Sequence, residues 1–282
     1  MSSPVRIVVD SSADIPQDIA EGLNIRVIPL AIHFGTQTYR EGEGITTREF
    51  YSRLAAEPSI IPKTSHPSQG EFEVMYADLL AGAGSVVSLH VSASLSGTYE
   101  TALAAVRALG DDVPISVVDS RNVSMCLGWI AIAAGRAAEQ GATRDEIVAQ
   151  VQDMIPRAHI PAFLDTLDFI RHSGRIGKAR AYLGTLLNIK PVVHVEGGEL
   201  VPLEKVRTRK RALRRLVELA RQYAPFEDLA VVHTNREETA VEVAGMLGED
   251  YARDRMLVVE AGIALGCHIG PGAVGVSCVS KS

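Results

Sequence analysis

Ser85 to Tyr99 reads SVVSLHVSASLSGTY, and its grammar decides the fold class. Ser85 to Val91 is rich in β-branched and apolar residues and reads as a strand. The serines and the glycine that follow break it, and SASLSGTY opens a helix that runs to about Leu109. Strand, polar loop, helix is the repeating unit of layered α/β proteins. The chain begins the same way. Val5 to Val9 is an apolar run that stops at Asp10, as buried parallel strands do. Asp14 and Gln17 then stand at capping-box spacing before a short helix.

Working outward, further strands are expected at Ile25 to Phe34, Ile115 to Asp119, Leu229 to Val232 and Met256 to Val259. Helical patterns cover Thr46 to Ala56, Val123 to Glu139, Arg144 to Ile155, Arg207 to Tyr223 and the stretch around Glu237 to Leu247. Gly35 to Gly44 reads as a polar turn region. Ser68 and Glu71 form a second capping box, so a helix starts just after Thr64 and Ser65. Near Arg157 to Pro161 the pattern restarts. HIPAFLD is strand-like, and Leu167 to Ile176 reads as helix then loop. Ile189 to Val206 reads as a hairpin about Gly197-Gly198. The end, GCHIGPGAVGVSCV, reads as a Gly-rich loop running into a last strand. This alternation predicts two α/β domains, residues 1–157 and 158–282, each with a mostly parallel sheet. The boundary is approximate, and segments are free to cross it.

Composition narrows the function classes. With 282 residues, 46% apolar and 22% charged, the chain can bury a large core without staples. A net charge of -6 argues against a nucleic-acid partner. The local exception, RTRKRALRR from Arg207 to Arg215, reads as a solvated helix face. Cys126, Cys267 and Cys278 fit neither a zinc site nor a disulfide framework, so reduced thiols and a cytoplasmic home are expected. The opening MSSPVRIVVD reads as a first strand rather than a signal peptide. The most apolar helical stretch, Cys126 to Ala138, is interrupted by Gly128, Gly135 and Arg136. It is too short to span a bilayer and reads as a buried helix, so no integral membrane segment is expected.

Three hydroxyl-rich segments stand out: Asp10-Ser11-Ser12, Thr64-Ser65, and Ser94 to Thr98. Each lies at a strand end or a helix start, where open α/β sheets build their sites. Helix starts attract anions, and a hydroxyl there can donate to a carboxylate without bringing a counter-charge. Gly97 lets a ligand approach the backbone closely. Turn and capping chemistry alone would also account for these residues, Ser11 above all. Gly270 to Gly275 spells G-x-G-x-x-G, but a strand rather than a helix follows, so it is not a dinucleotide fingerprint. It reads as a rigid loop presenting His268. No nucleophile elbow, P-loop or metal-spaced Cys pair is present, and no metal or catalytic residue is assigned. Ser96 and His268 could pair as nucleophile and base, which leaves open a hydrolase of acyl esters or acyl-phosphates.

Six segments, taken in order, resemble the DegV family of bacterial fatty-acid-binding proteins along essentially the whole chain. They are DSSAD at Asp10 to Asp14, KTSHPS at Lys63 to Ser68, SLSGTY at Ser94 to Tyr99, SGRIG at Ser173 to Gly177, KVRTRKRAL at Lys205 to Leu213 and HIGPGAVG at His268 to Gly275. The resemblance implies two α/β domains with the lipid held between them. It implies one bound long-chain fatty acid, such as palmitate, stearate or oleate, and no further cofactor. It also implies a carrier rather than a stand-alone enzyme, presenting the carboxylate to a separate ATP-binding fatty acid kinase that makes an acyl-phosphate. By the same match, Thr64, Ser65, Ser96, Gly97 and His268 fall at the carboxylate site, and Arg175 faces the kinase and the phosphoryl group. Ser11, His66, Thr98 and Gly270 lie in the neighbouring motif positions. His66 stands where the family more often has a neutral amide.

Overall fold

A computed structural model describes residues 4–57, 59–110, 112–182 and 190–282. The first strand, β1 (Val5–Asp10), is buried on both faces, which is why its sequence is a near-continuous apolar run. A 3₁₀ turn at Ser11–Ala13 leads to α1 (Gln17–Gly22) and β2 (Ile25–Ile28). The expected strand from Ile25 to Phe34 divides here. Pro29 has no N–H to continue the parallel ladder, and the chain leaves for a different sheet as β3 (Ala31–Phe34). The polar region that follows holds β4 (Gln37–Arg40), then come α2 (Thr47–Ala56) and β5 (Lys63–Ser65). Thr64 and Ser65 therefore lie in a short strand, and the next helix, α3 (Gln69–Gly82), starts at the Ser68–Glu71 capping box.

β6 (Ser85–His90), α4 (Thr98–Leu109) and β7 (Ile115–Asp119) complete the first sheet. Its order is β2-β1-β6-β7, all parallel. The chain winds outward in opposite directions from β1 and β6, so their shared carboxyl end is a topological switch point. Next come α5 (Met125–Glu139), α6 (Arg144–Met154), β8 (Ala158–His159), β9 (Ala162–Phe163) and α7 (Asp168–Ser173). The second sheet is completed by β10 (Lys190–Glu196), β11 (Glu199–Val206), β12 (Phe226–His233), β13 (Leu257–Glu260) and β14 (Val274–Ser280). Between these strands lie α8 (Arg209–Arg221), α9 (Glu237–Leu247) and α10 (Ile263–Ile269). The start of the expected hairpin, Ile189, lies outside the described residues.

The second sheet corrects the expectation of a mostly parallel arrangement. Among the described residues of this sheet only β12 and β13 pair in parallel, across the α9 crossover, and every other pairing is antiparallel. Strand–helix alternation gives parallel pairs only when the helix crosses the sheet. α7 and α10 do not; they pack on each other, and α10 rests on the small antiparallel sheet β4-β3-β5.

The layers run α3 and α4, first sheet, α5 and α6, second sheet, α8 and α9. α5 touches both sheets, and eleven of its fifteen residues are buried, which explains an apolar helix too short for a membrane. Among the described residues no helix is long and apolar enough to cross a membrane. A fourth core joins α2, β3 and α10, so a helix from the end of the chain completes a unit built by its beginning.

Candidate ligand-binding site

A buried polar network pins the switch point. Asp10, at the end of β1, accepts from the amides of Ser12 at 3.2 Å and Val91 at 2.9 Å, and from the Ser12 hydroxyl. Its second oxygen lies 3.1 Å from Nδ1 of His90, the last residue of β6. His90 Nε2 meets Ser88 Oγ at 2.8 Å, and Ser88 accepts from Tyr76 at 2.8 Å. Asp10, Ser88, His90 and Tyr76 are all fully buried, so each polar atom depends on these partners. The network fixes where the loop after β6 begins.

That loop, Ser92 to Gly97, is braced from three sides. Ser92 donates its amide to Asn122 O at 2.9 Å, and Ala93 donates to Asp119 Oδ1 at 3.2 Å. The Ser92 hydroxyl donates to Gly198 O at 2.8 Å, which docks the tip of the β10–β11 hairpin onto the loop. Gly198 sits at φ +91°, and a Cβ there would strike Ser92 Oγ, so both the turn and the close approach require glycine. At the loop's end the Ser96 and Thr98 hydroxyls are 2.8 Å apart, at the first turn of α4, whose amides point back at them.

His66 and Arg175 reach this loop, and each leads to the Thr64–His268 pair, His66 through the chain and Arg175 through its charge. Thr64 on β5 lies 2.9 Å from His268 Nε2. His66 packs against the loop; a Cβ on Gly97 would lie 3.0 Å from its Nε2. Arg175 donates to Leu95 O at 3.2 Å and to Ser173 O at 2.6 Å, and is otherwise exposed. α7 is held beside α10 by Phe169, whose ring covers Gly270. His268 sits in the last turn of α10, not in a loop. The Gly-Pro-Gly segment is the helix's exit, which puts the imidazole on a rigid element. Burial, reinforced by the Arg175 charge, pushes His268 down to about 4, so it is neutral at neutral pH. Its Nδ1 is buried with no hydrogen-bond partner among the described residues.

Thr64 thus pairs with His268, and His66 lies on Gly97. Arg175 reaches Leu95 and acts by its charge on His268. Ser96 pairs with Thr98, and Gly270 is covered by Phe169. Ser65 points to the other face of β5, as strand alternation requires, and bonds His33 at 2.9 Å. Ser11 donates to Glu41 and accepts from the Leu30 amide at 3.0 Å. It lines an open groove of about 1750 Å³ that also includes Asp14, Glu41, Gly262 and Val258, away from His268. Asp14 forms no capping box with Gln17, because its buried carboxylate is bonded elsewhere. No hydrogen bond joins Ser96 to His268 among the described residues; each bonds a different hydroxyl. Cys267, beside His268, is packed into the core with α2. Among the described residues no group of His, Cys, Asp and Glu could hold a metal. The long-range bonds of Asp10, His90, Asp14 and Glu41 carried no signal in the sequence, since those partners are distant in the chain.

Fold and site together define an α/β protein whose polar cluster stands at a sheet switch point, where such folds bind small ligands. The DegV family model, described as an uncharacterised protein of that family, matches residues 4–281. A DegV domain-containing protein of Streptomyces coelicolor is 38% identical over 290 residues, covering 100% of both chains. Protein DegV of Bacillus subtilis is 32% identical over 277 residues, covering 96% of this chain and 98% of that one. This chain belongs to the DegV family. A DegV family protein from Thermus thermophilus, solved as a fatty-acid-binding structure, superimposes with a TM-score of 0.91 at 29% identity, covering 99% and 100% of the two chains. DegV of Bacillus subtilis, described as a fatty acid binding protein, gives 0.88 at 31% identity with the same coverage. A stearic acid-binding protein from Eubacterium ventriosum gives 0.89 at 25% identity, covering 98% of each.

Proposed function

We propose that this chain binds one long-chain fatty acid, holds its carboxylate among Thr64, Ser96 and His268, and presents it to a separate ATP-binding kinase. The observation that carries the reading is the Thr64–His268 pair, tied through Arg175 to the loop that carries the Ser96 and Thr98 hydroxyls. The fatty-acid-binding structures of related proteins support the ligand class.

The chemistry suits that ligand. A palmitate tail buries about fourteen methylenes at about 0.8 kcal/mol each, about 11 kcal/mol before the costs of association. The tail supplies affinity, and the head group fixes orientation, because a desolvated carboxylate must be hydrogen-bonded. Hydroxyls and helix-start amides donate without a full counter-charge. Neutral His268 can donate as well, whereas an imidazolium there would face Arg175. Arg175, outside the cluster, is available to stabilise charge during phosphoryl transfer on the partner. A cytoplasmic setting belongs to the same proposal. Cys126, Cys267 and Cys278 are all free and buried, and burial pushes the Cys126 thiol up to about 12, far from reactive.

The test is displacement of a fluorescent fatty acid by palmitate. Ser96→Ala should weaken binding by about 1–2 kcal/mol, the scale of one lost hydrogen bond. Unchanged affinity would remove Ser96 from the head-group site.

A further inference from the structure

Helix α10 carries His268 in its last turn, yet its first turn has no cap of its own. Its N-cap position is Gly262, which has no side chain to offer. Two carboxylates from the beginning of the chain take that place. Asp14 Oδ1 accepts from the Gly262 amide at 2.8 Å, across 248 residues of sequence. Glu41 Oε1 accepts from the Ala264 amide at 2.7 Å, across 223 residues. Ser124 donates to Asp14 and Ser11 to Glu41, so both carboxylates are held from behind as well. The fit is tight: a Cβ on Gly262 would collide with Glu41 and come within 3.2 Å of Asp14.

This arrangement costs more than an ordinary cap. Burial pushes Asp14 up to about 7 and raises Glu41, and each repels the other and Asp10. A serine or aspartate at position 262 would cap the helix locally without burying two acids together. Capping from a distance does something a local cap does not. It ties the position of α10 to the loop after β1 and to the end of β4. A helix of seven residues is about 10 Å long and moves as a unit. What fixes its first turn therefore fixes the imidazole in its last.

We infer that Asp14 and Glu41 are positioning residues for the head-group site: by capping α10 from the other half of the chain, they set where His268 meets Thr64. The ligand readout below rests on the fatty-acid reading; the imidazole readout does not.

The test uses the full chain with ¹⁵N-labelled histidine, and cis-parinaric acid as probe. Glu41→Asp and Asp14→Glu keep the charge but move the acceptor by one methylene. Glu41→Gln and Asp14→Asn keep the length and an acceptor oxygen. The length-changing variants should shift the His268 ring ¹⁵N resonances and weaken parinarate binding about tenfold, as the displaced imidazole loses its hydrogen bond to the head group. The length-preserving variants should restore the resonances and most of the affinity. Folded length-changing variants with wild-type resonances would overturn the inference. Should those variants not fold, the wild type decides. Coupling is reciprocal, so palmitate should slow hydrogen exchange at the Gly262 and Ala264 amides, and unaltered exchange in a palmitate-loaded protein would overturn it. A wild type that binds neither parinarate nor palmitate would sink the fatty-acid reading, while the ring resonances of the variants would still decide the positioning role.

Discussion

At His268, burial and the neighbouring Arg175 charge act in the same direction, and both favour the neutral ring. An ordinary imidazole titrates near 6.5. Here the NMR midpoint of the ligand-free protein should lie near 4. A bound carboxylate within hydrogen-bonding reach favours the imidazolium, so palmitate should move the midpoint upward. A midpoint that does not respond to palmitate would take His268 out of the head-group site. At this scale the sequence singles out hydroxyls beside glycine at strand ends and helix starts, a pattern suited to anion binding. Which side of the backbone they face was harder to read. Thr64 and Ser65 are neighbours in sequence, yet one meets His268 and the other His33.

Local elements follow local rules where no distant group competes. Thr46 with Glu49, Ser68 with Glu71 and Thr143 with Glu146 share one spelling, and all three form capping boxes. Asp14 and Gln17 have the same spacing and do not, because Asp14 caps a different helix from across the chain. The hairpin about Gly197-Gly198 was legible from two glycines between alternating strands, and Glu196 pairs with Glu199 as that turn demands. Its docking on Ser92 was not, since the contact spans 106 residues. Gly198→Ala should therefore do more than strain the turn. Urea unfolding should show a loss of about 1–3 kcal/mol from the positive φ alone. Fatty-acid affinity should fall too, because Ser92 anchors the loop that carries Ser96. A loss of stability with full affinity would mean the loop holds its shape without the hairpin.

Across the whole molecule, the α/β class and the buried character of α5 could be read from patterning. The second sheet's direction could not, because alternation does not say whether a helix crosses its sheet. The five layers explain why the chain needs both halves. α5 is a shared wall between the sheets, and α10 returns from the second half to complete a unit of the first. On the proposed reading such a site would present the head group at one edge, where Arg175 is exposed. Arg175→Ala should leave palmitate affinity unchanged and lower acyl-phosphate formation when the kinase and ATP are supplied. A loss of palmitate affinity would move Arg175 into the pocket.

The central claim is a bound fatty acid, and mass spectrometry of the purified protein tests it most directly, first native and then after organic extraction. The account predicts one C14–C18 fatty acid per chain, released on denaturation. A protein that arrives empty and takes up no fatty acid from a mixed pool would contradict it.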